Sequence, residues 1–305
     1  MPSKKRIFVV DAFASKPFSG NPAGVLFLDD DPFPSDSVLL RVAQEVNLAE
    51  TAFFRRLPEK GRYHLRWFTP QCEINLCGHA TLASAFVAFT CLGNEETNGI
   101  DTLLFDSLSG VLTVRLMKDG PYPLTLELDF PAWNSLPVPL KNVPVSLLSG
   151  LGLDTNGISP LFVGKNRDYL VILPTPQDVL NVIPDYAVLA EVKDAVVIIV
   201  AAAGDGKVHP SEGSAPGVFG DTAPDFLVRA FCPDCTSVPE DPVCGSAHCS
   251  LIPYFADALK KNSMISHQVS RRGGQLFVQL DQEGKRVKIA GTATLFMSGL
   301  SNCVL

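Results

Sequence analysis

Residues 80–92 read ATLASAFVAFTCL, with no charge and with apolar side chains on every face of the helix they would form. A helix at a protein surface shows water a polar stripe, whereas one that is apolar all round has to be enclosed. Nowhere in the 305 residues is there an uninterrupted apolar run of the ~20 residues that would cross a bilayer. The flanking sequence offers short β-type runs as the enclosure. IFVVDAF (7–13), GVLFL (24–28), TAFFRRL (51–57) and YHLRWF (63–68) precede the helix, and VLTVRL (111–116) and LTLELDF (124–130) follow it. Each is rich in β-branched and aromatic residues. A second, amphipathic helix is expected from Ser35 to Gln44, with Val38, Leu39, Val42 and Ala43 turned inward.

The pattern occurs twice. LRWFTP (65–70) leads into LCGHATLASAFVAF, and VRAFCP (228–233) leads into VCGSAHCSLIPYFADAL. Arg66 matches Arg229, Phe68 matches Phe231, Pro70 matches Pro233, Cys77 matches Cys244 and Gly78 matches Gly245. The second copy has a few more residues between its Pro and its Gly, an insertion of the kind a connecting loop tolerates. Between the copies lies PAWNSLPVPLKNVP (131–144), whose four prolines predict a linker. Two β-rich domains of similar plan follow, 1–131 and 132–305, each holding one apolar helix.

Composition narrows the partners. With 25 Lys and Arg against 32 Asp and Glu, the net charge is -7, and a nucleic-acid partner, which needs clustered cations, is not expected. The opening MPSKKRIFVVDAFASK has no signal-peptide core. A soluble, cytoplasmic protein with no membrane partner is the expectation. The eight cysteines are expected as reduced thiols. Cys232 and Cys235 form a CxxC without the second ligand pair that zinc needs, so no zinc site is predicted there. Cys72, Cys91, Cys249 and Cys303 sit among apolar neighbours, as packing residues do.

Two readings of the repeated Cys-Gly stand side by side. One is a tight strand-to-helix turn with a small buried Cys. The other is chemical: Gly lets a ligand approach the backbone, and the first N–H groups of a helix have no partner within it. Two such ends facing each other across a cleft would grip a carboxylate and stabilise a carbanion beside it.

VDAFASKPFSGNPAGV, NLAETAF, FTPQCEINLCGHATLASA, DFLVRAFCPDCTSVPEDPVCGSAH and QVSRRGG together resemble, in order and spacing, the phenazine-biosynthesis isomerase-like (PhzF-like) family. The resemblance runs nearly end to end. It implies an α+β, diaminopimelate epimerase-like fold of two pseudo-repeated domains, each a central helix wrapped by a mostly antiparallel sheet, with the C-terminal strand near 295–305 free to join the first domain. It further implies a cofactor-independent isomerase whose small-molecule carboxylate or amino acid substrate is held between the domains. Glu50 is then the acid and base, and Gly78, His79, Asp241, Gly245 and Ser246 bind the substrate. A homodimer is compatible with it.

Each residue has a plainer reading. Asn47 and Glu50 have the spacing of a capping box, Asp241 precedes Pro242 as turn residues do, and Ser246 is a normal N-cap. His79 has the context of a hydrogen-bonded structural group. Both Cys-Gly copies carry a thiol, so a two-cysteine epimerase or racemase using Cys77 and Cys244 is the alternative enzyme; a helix N-terminus would lower such a thiol's pKa. His79 and the NLAET segment speak against it. A non-catalytic binding or scaffold protein on the same fold is the third class. Pro253, inside the second helix, predicts a kink.

Overall fold

The apolar run does form a helix, Gly78–Thr90, and every residue from Gly78 to Ala88 is buried. The computed structural model describes residues 4–93, 97–154, 157–210, 217–232 and 238–304, with side chains through Ser301. Pro233, Cys235 and the side chain of Cys303 lie outside the described residues. The chain divides into two units, Met1–Phe130 with Ala290–Leu305, and Pro131–Ile289. The C-terminal strand therefore belongs to the first unit.

In chain order the first unit contains β1 (Lys4–Ala12), β2 (Asn21–Phe27), α1 (Asp36–Val46), β3 (Glu50–Arg56), β4 (Arg62–Phe68), β5 (Glu73–Ile74), the enclosed helix α2 (Gly78–Thr90), β6 (Thr102–Ser107), β7 (Gly110–Met117) and β8 (Thr125–Pro131). α2 packs on β1, β2 and β3. Enclosure leaves its hydroxyls no water, and they bond back to the preceding turn: Thr81 Oγ1 donates to Cys77 O at 2.5 Å, Ser84 Oγ to Ala80 O at 2.7 Å and Thr90 Oγ1 to Phe86 O at 2.7 Å. Along the sheet β2 runs parallel to β3, β3 antiparallel to β4, β4 parallel to β6 and β6 antiparallel to β7.

The second unit continues with β9 (Leu136–Pro137), α3 (Val145–Gly150), β10 (Phe162–Lys165), β11 (Tyr169–Ile172), α4 (Pro176–Leu180), α5 (Tyr186–Leu189), β12 (Ile198–Ala203), β13 (Phe226–Phe231), α6 (His248–Leu259), β14 (Ser263–Gln268), β15 (Gly274–Leu280) and β16 (Arg286–Gly291). The last strand, β17 (Ala293–Val304), pairs antiparallel with β1 in the first unit. From β11 the pairing runs parallel to β12, antiparallel to β13, parallel to β14 and antiparallel to β15. That is the sequence of directions from β2 to β7, so the repeat read from Arg-x-Phe and Cys-Gly extends to the strand order. The short helices α3, α4 and α5 have no counterpart in that reading.

Two expectations change. The proline-rich segment is not a free linker: Ala132 N–H donates to Lys285 O at 2.9 Å, Trp133 N–H donates to Cys249 O at 2.8 Å, and β9 pairs with β10. The Trp133 bond has a cause in α6. Pro253 sits inside that helix and has no N–H for the carbonyl four residues back, which is Cys249; Trp133 supplies the missing donor, and α6 runs on to Leu259. Cys72 is exposed rather than packed, whereas Cys249 is buried as expected.

No helix among the described residues is long and apolar enough to cross a membrane. The turn from β1 to β2 depends on Gly20, at φ 66°, where a Cβ would press on the Ala12 carbonyl oxygen and lie 2.7 Å from the Ala14 methyl. Both the left-handed backbone and the close approach exclude a side chain. Gly20→Ala is expected to lower unfolding stability by at least about 1–3 kcal/mol, read as a shift of the urea midpoint.

Candidate active site

α1 ends at Asn47, which takes the left-handed conformation at φ 51° and donates its N–H to Ala43 O. Asn47 is thus a C-cap, and the capping box that Asn47 and Glu50 suggest does not form. The chain turns straight into β3, whose first residue is Glu50, beside Ala23 of the parallel strand β2. The Glu50 side chain keeps 19% of its surface exposed. α2 starts at Gly78 with no side-chain cap from Cys77. Its first backbone bond is Thr81 N–H to Cys77 O at 3.3 Å, so the N–H groups of Gly78, His79 and Ala80 lie ahead of the intrahelical ladder.

His79, only 5% exposed, connects these elements. Its Nε2 lies 3.2 Å from Glu50 Oε2, but off the line that a hydrogen bond requires. On the other edge of the ring Asn21 Nδ2 donates to Nδ1 at 3.1 Å, and Cys77 Sγ is 3.5 Å from the same nitrogen. An Nδ1 that accepts places the ring proton on Nε2, toward Glu50. Burial pushes the His79 imidazolium down to about 3, so the ring is neutral near pH 7. One donor atom each from Glu50, Cys77 and His79 falls within 4.8 Å of the others, a set able to hold a metal ion.

In the second unit Asp241, Gly245, Ser246 and Cys244 share one loop between β13 and α6. Gln268 pins it from both sides, accepting from Cys244 N–H at 2.8 Å and donating to Asp241 O at 2.6 Å, while Ser270 Oγ donates to Pro242 O at 2.7 Å. Asp241 Oδ1 accepts from Val243 N–H at 3.1 Å. Burial nevertheless raises the Asp241 carboxyl to about 6, against the hydrogen bonds from Cys244 and Val243. Ser246 Oγ lies 3.5 Å from Cys244 Sγ and accepts from Arg167 Nη2 at 3.4 Å. The Arg167 guanidinium stacks 4.6 Å over the Trp133 ring and pairs with Asp168 at 2.9 Å.

The second motif departs from expectation in two ways. Its helix begins at His248 with Ala247 as N-cap, after a turn closed by His248 N–H to Gly245 O and Cys249 N–H to Ser246 O, both 3.1 Å. Ser246 is therefore not the cap. The Cys244 thiol is not lowered: burial first, then the Asp241 charge, push it well above its ordinary value, which weakens the two-cysteine alternative.

Several contributing residues were not anticipated. Arg66 grips Glu73 with two hydrogen bonds of 2.7 and 2.6 Å, and Arg229 grips Glu240 with two of 2.8 and 2.9 Å. Both glutamates stand four residues before the motif cysteine, in EINLC and EDPVC. Aligning the copies from Cys-Gly backward reveals them and puts the insertion between Phe231 and Glu240. Asn21 was signalled only as part of GNPAGV, and Arg167 and Gln268 carried no local signal.

A carboxylate at a strand start, a neutral imidazole and the open first turn of a helix meet here, groups able to hold a proton beside a site for an anion. The chain matches the PhzC-PhzF family of phenazine biosynthesis-like proteins over residues 10–299, and it belongs to that family. It is 41% identical to an uncharacterized isomerase of Pseudomonas aeruginosa over 95% of each chain. A PhzF family protein of Enterococcus faecalis, known from its crystal structure, superposes with a TM-score of 0.81 at 35% identity, covering 99% of this chain and 100% of that one. A predicted epimerase of Pseudomonas aeruginosa matches in fold alone, with a TM-score of 0.70 at 19% identity over 98% of this chain and 99% of that one. The fold is α+β and diaminopimelate epimerase-like.

The second unit also sets an acid limit. His248 is fully buried; its Nδ1 donates to Cys244 O at 2.8 Å and its Nε2 accepts from Ser266 Oγ at 2.9 Å. Burial holds it at about 4, and it holds His267 at about 4 as well. The unfolded chain takes up these two protons first as pH falls, so the stability is present above 6.5 and lost toward about 4. Denaturation from pH 7.5 downward is expected to show a fall of up to roughly 1.4 kcal/mol per pH unit for each group, and His267→Gln to remove one group's share.

Proposed function

We propose that this chain is an isomerase that moves a proton between carbons of a small carboxylic or amino acid, with Glu50 as the shuttle. The contact of Glu50 Oε2 with His79 Nε2 at 3.2 Å, beside the open first turn of α2, carries the reading. Glu50 takes a proton from a substrate C–H, and the electron pair left behind spreads into the adjacent unsaturated or carboxylate group. The protonated Glu50 then gives the same proton to a second carbon, so substrate and product differ only in where it sits. Because the chain's own carboxylate carries the proton both ways, the step needs no cofactor.

His79, neutral and anchored by Asn21, offers Nε2–H to the carboxylate and fixes its orientation without adding a charge. Such hydrogen bonds are commonly misaligned before substrate arrives and tighten when it binds. The N–H groups of Gly78, His79 and Ala80 stabilise the negative charge that develops on the substrate. Gly245, Ser246 and Asp241 are proposed as substrate-binding residues. Support comes from the Gln268 and Ser270 bonds that hold their loop rigid and from Arg167 at Ser246 Oγ. The family match adds support for isomerase chemistry.

Solvent deuterium incorporation into a panel of small carboxylic and amino acids, followed by mass spectrometry, tests the reading. Glu50→Gln is expected to lower incorporation by ~10²–10⁴-fold, since a carboxamide does not exchange protons near neutral pH. Cys244→Ser is expected to keep most of it. Exchange that survives in Glu50→Gln but disappears in Cys77→Ser and Cys244→Ser would assign the chemistry to the thiols.

A further inference from the structure

We propose that Arg167 and Ser246 form a carboxylate-binding subsite in the second unit, and that the substrate is accordingly an acid with an anionic group apart from its reacting carbon. The internal repeat leads to it. In each unit a hairpin presents a nitrogen donor to the residue two places after the motif cysteine. β1 pairs antiparallel with β2, whose first residue, Asn21, donates to His79. β10 pairs antiparallel with β11, and Arg167, in the turn between them, donates from Nη2 to Ser246 Oγ. The first of these contacts is neutral, because burial keeps His79 uncharged. The second brings a guanidinium.

That guanidinium is fixed in place with one edge to spare. Nε and Nη2 fork onto the Asp168 carboxylate at 3.1 and 2.9 Å. Asp168 is 1% exposed, and its Oδ1 also accepts from Val197 N–H at 3.1 Å. Trp133 supports the planar face. With the Nε edge engaged, the second hydrogen of Nη2 lies on the Nη1 edge, and this is the hydrogen that Ser246 Oγ accepts, at 3.4 Å. Nη1 itself has no partner among the described residues. Arg167 keeps 38% of its side chain exposed, so a ligand can reach that edge. Arginine presents parallel N–H donors that match a carboxylate.

Ser246 adds a second donor. Its Oγ accepts from Arg167 and keeps its own proton for a ligand oxygen, a better acceptor than the Cys244 sulfur 3.5 Å away. The N–H groups of Gly245 and Ser246, ahead of α6, also have no acceptor among the described residues. A charge that develops during proton transfer is met by neutral dipoles aimed at it, as at the first turn of α2. A full cation instead binds a charge the substrate already carries, equally before and during the reaction, which sets affinity rather than rate. The role in substrate binding rests on the isomerase reading; carboxylate binding by Arg167 does not.

Two measurements separate them. Trp133, against the guanidinium, reports where a ligand binds: at constant ionic strength succinate is expected to change the tryptophan fluorescence of the full chain saturably, succinamide is not, and Trp133→Phe should remove the response. Calorimetry gives the affinity, which Arg167→Gln should weaken at least about tenfold. Because that change strands the buried Asp168 carboxylate, Arg167→Gln combined with Asp168→Asn, a neutral pair, decides the matter if the single variant does not fold. In the deuterium-exchange assay, dicarboxylic acids are expected to show a KM at least about tenfold below that of their monoamides, and Arg167→Gln to erase the difference with kcat little changed. No saturable response to succinate in the parent chain, a response that persists in Trp133→Phe, affinity unchanged in the folded Arg167 variant, or monoamides that exchange as readily as diacids would overturn the proposal. Succinate binding that depends on Arg167, with no exchange from any acid, would leave the subsite standing and remove the isomerase reading alone.

Discussion

A helix that is apolar on all sides must be kept from water, and much of the first unit serves that requirement. β1, β2 and β3 cover α2, and the helix hydroxyls turn back on their own backbone. What enclosure leaves open is the hydrogen bonding of the first turn, where three N–H groups have no carbonyl within the helix to reach. His79 occupies that turn. The burial that stabilises the helix also strips the imidazole of solvent and makes it neutral, and so decides which chemistry it can perform.

The arginine–glutamate clamp is the second organising contact. Arg66 and Arg229 each lie over a phenylalanine of the same strand, Phe68 and Phe231, at 5.1 and 5.0 Å, while gripping a glutamate further along the chain, Glu73 and Glu240. A planar fork meeting a carboxylate with two parallel bonds fixes direction as well as distance. Each clamp ties the strand before the motif to the residues four positions ahead of its cysteine, so the second copy absorbs its extra residues before Glu240 without moving the Cys-Gly.

Burial also separates the two chemistries that the paired cysteines left open. A thiol at a helix start would be activated if the helix dipole dominated, and Cys244 sits where sequence reasoning put it, after a strand and before a helix. The turn of Gly245 to Ala247 intervenes, however, and the thiol is desolvated beside Asp241. Both effects disfavour the thiolate. Glu50, by contrast, is the first residue of β3 and keeps contact with solvent.

The sequence by itself determined the enclosed helix, the strands that precede it and the two-fold repeat, because apolar periodicity and the steric roles of Gly and Pro act over a few neighbouring residues; Glu50 and Asp241 were singled out only by the family resemblance. Only the tertiary structure decided what depends on residues far apart in the chain. Asn21 meets His79 across 58 positions, and Trp133 satisfies the carbonyl that Pro253 leaves without a donor. The helix start after Cys244, the rise of its thiol pKa and the capture of the proline-rich segment all follow from who packs against whom. No local pattern encodes the loss of water around a side chain, and that loss sets the protonation states on which the chemistry turns.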